Sequence, residues 1–393
     1  MCKHYDMILF ENCLPWETHK IDMILIANIF SHYGLKIAIL DIYGQDKGDY
    51  MEQYPLLHLS HLPNKLNYAS GGKHNKLVNF LSWIRVYRNI SRYYKCVIPQ
   101  ILPLADMFYC GSLQNKVPLE LLKISKPCFF WGLRAYRFDN IFQKMIKNFV
   151  SGYHILCIKK NYKANENMYL FVSNEVIMKE HIKLGFPSNR IIIRPERYIY
   201  EIPKNNIEKL SKNFSFLTIG NLRKSKRVDF SVTSYLKADI NNSLFIIAGA
   251  AQDDVDIKLK KASNNDNRII REQGYITPER YKQLMTQMHF LVLADVKEPS
   301  SMTNGTLSES LCNLRPFIAP NYPPYSTMVE KYGIGICYDP DIEDSQAIAM
   351  QKANQIGCEK FIPAIKRYLN TIMFDKVAKQ VYNDTINSIN KLN

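Results

Sequence analysis

The sequence predicts an α/β protein made of two parallel-sheet halves, and three observations predict it. Short apolar runs of strand length alternate with amphipathic stretches of helical length through both halves of the chain, the pattern of a parallel sheet covered by helices. At 393 residues the chain is long enough for two ordinary domains, each with its own core. One stretch, from Met288 to Pro320, carries a complete strand–turn–helix–strand unit.

In the first half, residues 7–10 and 36–41 read as strands, and the segment between them as a helix over 21–33 ended by Gly34. A second amphipathic helix is expected over 75–94, with Leu77, Phe80, Leu81, Ile84, Tyr87 and Ile90 at helical spacing. Residues 107–109 and 127–131 read as further strands and 142–150 as a helix, while 151–168 fits no regular element. A strand–helix–strand follows, from Leu170 through Leu184-Gly185 to Ile191-Ile-Ile. The polar stretch around Pro203-Lys-Asn-Asn, over 197–213, reads as a linker. The second half alternates again from Phe214 to Asp339, with strand-like apolar runs at 290–294 and 317–319. An amphipathic helix over 374–389 ends the chain. The expected division is 1–200, 201–373 and a terminal helix over 374–393.

Composition narrows the function classes. A hydrophobic share of 47% and a charged share of 22% are those of a globular protein, and no apolar run approaches the ~18 residues of a membrane span. The first residues lack the basic flank, apolar core and cleavage site of a signal peptide. Nine cysteines without a Cys-x-x-Cys pair argue for reduced thiols in a cytoplasmic protein, not a disulfide frame or a zinc site. His58 and His61 lie three apart with no third ligand nearby, so no metal is expected.

The net charge of +15 calls for an anionic partner. Between Lys65 and Lys95 seven basic residues, Arg85, Arg88 and Arg92 among them, occur with no acidic one. With Trp83, Tyr93 and Tyr94 alongside, this basic helix suits an anionic bilayer surface, which would place the protein peripherally on the inner face of the plasma membrane. The other reading is a core-facing helix with a basic outer side. Nucleic acid is not expected, because no binding module accompanies the charge.

The chemistry concentrates in the second half. After the apolar run at 290–294, Asn304-Gly305-Thr306 opens a helix holding Glu309, closed by Leu314-Arg315-Pro316. A helix N-terminus behind a small glycine-bearing turn presents free N–H groups and a positive dipole end to a phosphate. A carboxylate one turn further suits a sugar or ribose hydroxyl. Upstream, Gly220 ends a strand, with Arg223, Lys224, Lys226 and Arg227 just beyond. Arg223 and Lys226 are the cations placed to neutralise a leaving diphosphate. Asp254-Val-Asp256 is formally a metal-binding carboxylate pair, but its place at a helix start is explained by the dipole.

These residues resemble the C-terminal donor-binding region of GT-B glycosyltransferases, in particular the large family-4 type acting in bacterial polysaccharide and lipid-linked saccharide synthesis. Glu309-Ser-Leu-Cys-Asn-Leu-Arg315-Pro316-Phe-Ile-Ala319 resembles the second half of the family's paired-glutamate motif. Ser301 stands where the first glutamate would fall, with Glu298 close by. Lys226 takes the position of the family's diphosphate lysine, and Asn221 that of an arginine, for which Arg223 substitutes. The resemblance covers 168–340 well, placing successive strands of the second half at 214–219, 243–249 and 271–276, and covers the earlier residues in general terms.

It implies two Rossmann-like domains facing across a cleft, with the terminal helix crossing back to the first. The activity it implies is a metal-independent transfer of a hexosyl group from a nucleotide-diphosphate sugar to a saccharide, lipid-linked or free, with retention in the family-4 type. It needs no cofactor. The donor would meet Gly220, Asn304, Gly305, Thr306 and Glu309, its base lying at Tyr275 and Ile276. For the acceptor, the family's histidine loop reads Gly132-Leu-Arg134-Ala-Tyr-Arg137 here. Arg134 and Arg137 suit an acidic acceptor group, and Glu11 and Asp139 are the carboxylates available as a base. The departures at Ser301 and in this loop leave a rival open: a non-catalytic GT-B scaffold or partner subunit.

Overall fold

The computed structural model describes residues 4–10, 20–40, 53–57, 76–113, 119–132, 156–161, 164–204, 210–296 and 305–391; within 76–90 only Arg88 and Asn89 have described side chains. The chain divides into two compact units, Met1–Glu196 with Asp375–Asn393, and Arg197–Phe374.

The first unit is a seven-stranded sheet of β1 (Tyr5–Leu9), β2 (Ile37–Leu40), β3 (Leu56–Leu57), β4 (Ala105–Ser112), β5 (Cys128–Trp131), β6 (Met168–Val172) and β7 (Ile191–Ile193). Its order is β3-β2-β1-β4-β5-β6-β7, and every pairing is parallel. Unbroken apolar runs such as Cys-Phe-Phe-Trp and Met-Tyr-Leu-Phe-Val are buried throughout, as helices on both faces require. The helices include α1 (Lys20–His32), α2 (Lys76–Ile101) and α3 (Glu175–Lys183). Asn174 caps α3, its side-chain oxygen accepting from the N–H groups of Val176 and Ile177 at 3.0 Å.

The basic helix α2 is longer than its apolar stripe suggests. Tyr93, Tyr94, Val97 and Ile101 turn one face into the core, while Arg88, Arg92 and Lys95 are exposed. Tyr93 and Tyr94 were expected at a membrane surface, and that expectation fails. Helical periodicity aligns them with Val97 and Ile101 against the sheet. Among the described residues no helix is long and apolar enough to cross a membrane.

The second unit is a six-stranded parallel sheet of β8 (Phe214–Ile219), β9 (Ser243–Gly249), β10 (Ile269–Gln273), β11 (Phe290–Val292), β12 (Phe317–Pro320) and β13 (Gly335–Tyr338), in the order β10-β9-β8-β11-β12-β13. Helices α4 (Val228–Ala238), α5 (Asp253–Asn265), α6 (Pro278–Gln287), α7 (Gly305–Cys312), α8 (Tyr325–Tyr332), α9 (Ser345–Ile356) and α10 (Ile362–Thr371) connect and cover it. β10 ends at Gln273, so Tyr275 and Ile276 lie in a loop and not in a strand, with Tyr275 83% exposed. The last helix, α11 (Phe374–Asn390), belongs almost wholly to the first unit. There Tyr382 stacks on Tyr33 at 4.3 Å between ring centres.

Each sheet reverses its strand order once, between β1 and β4 and between β8 and β11. In an open parallel sheet the crevice beyond the carboxyl ends of such strands is where ligands are bound.

Candidate functional site

At the reversal in the second sheet the residues that follow β8 and β11 meet. Gly220 ends β8 with φ +114°, and the next strand ends on Gly249 with φ +127°. A side chain at Gly249 would lie 2.0 Å from the Gly220 carbonyl oxygen, so the two strand ends touch through backbone. Beyond Gly220 the chain makes one tight turn at Lys224–Lys226, with the Lys226 N–H donating to the Arg223 carbonyl at 2.9 Å. This turn folds the Lys226 side chain back over Gly220. Its Nζ lies 3.7 Å, and the Thr306 hydroxyl 4.0 Å, from where a Cβ on Gly220 would be. Only a glycine leaves this space open between an ammonium and a hydroxyl. Thr306 is the second residue of α7, whose first N–H groups have no intrahelical acceptor.

Lys226 is half-buried. Burial lowers its pKa, the Asp295 carboxylate opposes that shift, and the Arg223 guanidinium adds to it. Asp295, just past β11, is held in place: the Tyr325 hydroxyl donates to its carboxylate at 3.1 Å and the Tyr322 hydroxyl to its carbonyl. The neighbouring Val296 N–H donates to Ser225 at 2.8 Å, which ties the β11 exit to the lysine turn.

On α7, Glu309 forms an ion pair with Arg197, both side chains about one-third exposed. Tyr281 of α6 hydrogen-bonds to Thr306; burial, then the Glu309 charge, push its phenol up to about 12. The same two causes raise the Cys312 thiol to about 11. Arg315 does no ligand chemistry. It is fully buried and donates to the Thr286 carbonyl at 2.6 Å, locking the end of α7 to that of α6.

Of the residues selected from sequence, the structure therefore brings together Gly220, Lys226, Gly305, Thr306 and Glu309 on the β8 and β11 side of one sheet edge. Arg223 is exposed, within electrostatic reach of Lys226, and lines a groove between α4 and α5. Tyr275 and Ile276 follow β10, two strands away from β8 and three from β11. Asn304, Glu11, Arg134, Arg137 and Asp139, and the side chains of Trp83 and Arg85, lie outside the described residues. Both acidic residues of the Asp-x-Asp are engaged: Asp254 pairs with Lys224 at 2.7 Å, and the buried Asp256 with Arg271 at 2.8 Å and Lys260 at 3.1 Å.

Arg197, Tyr281 and Asp295 were not foreseen. Asp295 had a usable signal, a carboxylate at the exit of a strand beside the reversal. Arg197 lies 112 positions from its partner, with nothing local to mark it. In the first unit, the guanidinium of buried Arg194 lies 3.9 Å from the Trp131 ring centre and pairs with Asp22 at 2.9 Å. His181 is buried beside Gly132, and neither ring nitrogen finds a hydrogen-bond partner among the described residues. Burial pushes it to about 4, so it is neutral at pH 7.

No protein-family model and no curated protein matches the sequence. Solved structures do match over nearly the whole chain. HepE of Anabaena in complex with UDP is 11% identical, with a TM-score of 0.64 over 96% of this chain and 98% of that one. WaaG, a glycosyltransferase involved in lipopolysaccharide biosynthesis, is 10% identical, with a TM-score of 0.64 over 95% and 99%. Sucrose-phosphate synthase of Thermosynechococcus elongatus is 10% identical, with a TM-score of 0.66 over 99% and 100%. All are GT-B glycosyltransferases, and the chain has their fold: α/β, with two Rossmann-like halves.

Proposed function

We propose that the protein is a glycosyltransferase that binds a nucleotide-diphosphate sugar at the β8/β11 edge of its second unit and transfers the sugar to a saccharide acceptor. The observation that carries this reading is the convergence of Lys226 and Thr306 on Gly220 at the N-terminus of α7. The Lys226 ammonium, the Thr306 hydroxyl and the first N–H groups of α7 together form an anion site for the diphosphate. The same groups stabilise the charge that grows on the diphosphate as it leaves, in place of a metal ion. Glu309 then takes the ribose hydroxyls, in exchange for Arg197. HepE with bound UDP and UDP-glucose has the same fold, which supports a nucleotide-sugar donor.

Thermal-shift measurements with UDP-, GDP- and TDP-sugars test the reading. One of them should stabilise the protein saturably; no stabilisation by any would contradict it. The sequence departures at Ser301 and after Gly132 favour a second reading, donor binding without turnover. Saturable stabilisation with no release of nucleotide diphosphate over a panel of acceptors would establish it.

The acceptor is lipid-linked in this proposal, because the exposed Arg88 and Arg92 of α2 give an anionic membrane a place to bind. Each such side chain contributes about 1 kcal/mol near an anionic surface. Binding to anionic liposomes should be salt-sensitive and lost in Arg85/Arg88/Arg92→Glu, with nucleotide binding retained. Equal sedimentation of that variant and the parent would remove the membrane from the proposal.

A further inference from the structure

A groove in the same unit begins at Arg223, three residues past Gly220. Helices α4 and α5 pack side by side yet leave a groove of about 720 Å³ between them, within the ~300–1,000 Å³ of ligand sites. Its floor is apolar: Val228, Val232, Val255 and Leu259 are buried, and Leu236 stands 40% exposed on the wall. Its rim is basic. Five cations line the groove against two carboxylates, Asp229 and Asp254, which are already paired with Lys258 at 3.0 Å and Lys224 at 2.7 Å. Arg223, Arg227 and Lys261 have no carboxylate partner among the described residues. Arg227 is held in place by its left-handed backbone, φ 43°, and by the Phe230 ring 4.3 Å away.

The two arginines stand at one end of the groove and the exposed Leu236 at the other, with Lys261 on the rim there. Arg223 and Arg227 stand before the first turn of α4, where α5 also begins, whereas Leu236 and Ala262 lie toward the ends of the two helices. A phosphate at the first end and a hydrocarbon chain running to the second would satisfy both. We infer that this groove binds a phosphate-headed lipid, its head at Arg223 and Arg227 and its chain along Val232 and Leu259 toward Leu236. A purely polyanionic ligand would leave Leu236 in water, and a neutral amphiphile would leave the arginines unmatched.

Dodecyl phosphate below its micellar concentration, titrated calorimetrically into the full chain, tests the inference. One molecule should bind per chain, at least about tenfold more tightly than dodecyl maltoside, and inorganic phosphate should compete poorly. Leu236→Asp puts a carboxylate in the chain's path at an exposed position, and Arg227→Ala removes a head contact; each should weaken binding about tenfold or more. Thermal unfolding of each variant verifies that it folds. Equal binding of the maltoside, or binding unchanged in both variants, would overturn the assignment. Displacement by inorganic phosphate alone would do the same. Phosphatidylglycerol vesicles separate the two sources of such a lipid. Loss of sedimentation in Leu236→Asp means that the groove draws it from a bilayer. Sedimentation retained while dodecyl phosphate binding is lost means that it takes a dispersed monomer, and the groove is assigned either way.

Discussion

Both sheets reverse strand order once, and the described residues at the two reversals differ in kind. At β1 and β4 they are buried and apolar: Phe10, just past β1, donates its N–H to the carbonyl of Tyr109 within β4, both rings lie in the core, and Leu113, just past β4, is buried too. Beyond β8 and β11 the sheet carries a half-buried lysine, a hydroxyl, a fixed aspartate and the N-terminus of α7. Strand order provides a crevice in both units, and the proposed anion site lies at the second. The fold alone therefore does not identify the chemistry.

The sharpest test of this contrast is the glycine pair that shapes the second crevice. Gly249→Ala must accommodate a methyl 2.0 Å from a backbone oxygen, at φ +127°, and is expected to cost about 3 kcal/mol or more. Gly305→Ala, with nothing within 4 Å of the new methyl, should stay within about 0.5 kcal/mol. Urea denaturation of both variants checks the pair, and similar losses would mean that the crevice is not built on the touching strand ends.

Acid compares the units differently. His181 in the first is held near 4 by burial, and His289 in the second also near 4, by burial against the opposing charge of Glu359. Unfolded histidine titrates near 6.5. Stability is thus intact above that pH and lost as pH falls through 6.5 toward 4, by about 3 kcal/mol for His181. His181→Leu should flatten the acid limb of the stability curve measured by denaturation at each pH. An unchanged limb would show that His181 is not buried neutral.

A smaller effect is expected at Glu309. Glu309→Gln should weaken nucleoside diphosphate binding by about 1 kcal/mol and leave pyrophosphate binding nearly untouched. Equal losses for both ligands would assign the residue to α7 and its ion pair with Arg197 instead of to the ribose.

How much of this was readable in advance follows from sequence separation. The β11–α7–β12 unit was legible because its signals sit within some thirty residues, and Gly220 and Lys226 because one turn joins them. Tyr281 and Arg197 were not, because each reaches the site from another element, and only the folded sheet places them together. Tyr93 and Tyr94 were misread because aromatic residues on a basic helix suit a bilayer and a core equally. The packed face was decided by Val97 and Ile101 one and two turns on.

The central claim is that Lys226 neutralises a donor diphosphate at the β8/β11 edge. Calorimetry of the stabilising nucleoside diphosphate against the parent and Lys226→Ala, with and without EDTA, tests it most directly. The account predicts a loss of about 1.5–3 kcal/mol in the variant and parent affinity that survives the chelator. Unchanged affinity in Lys226→Ala, or binding abolished by EDTA, would contradict it.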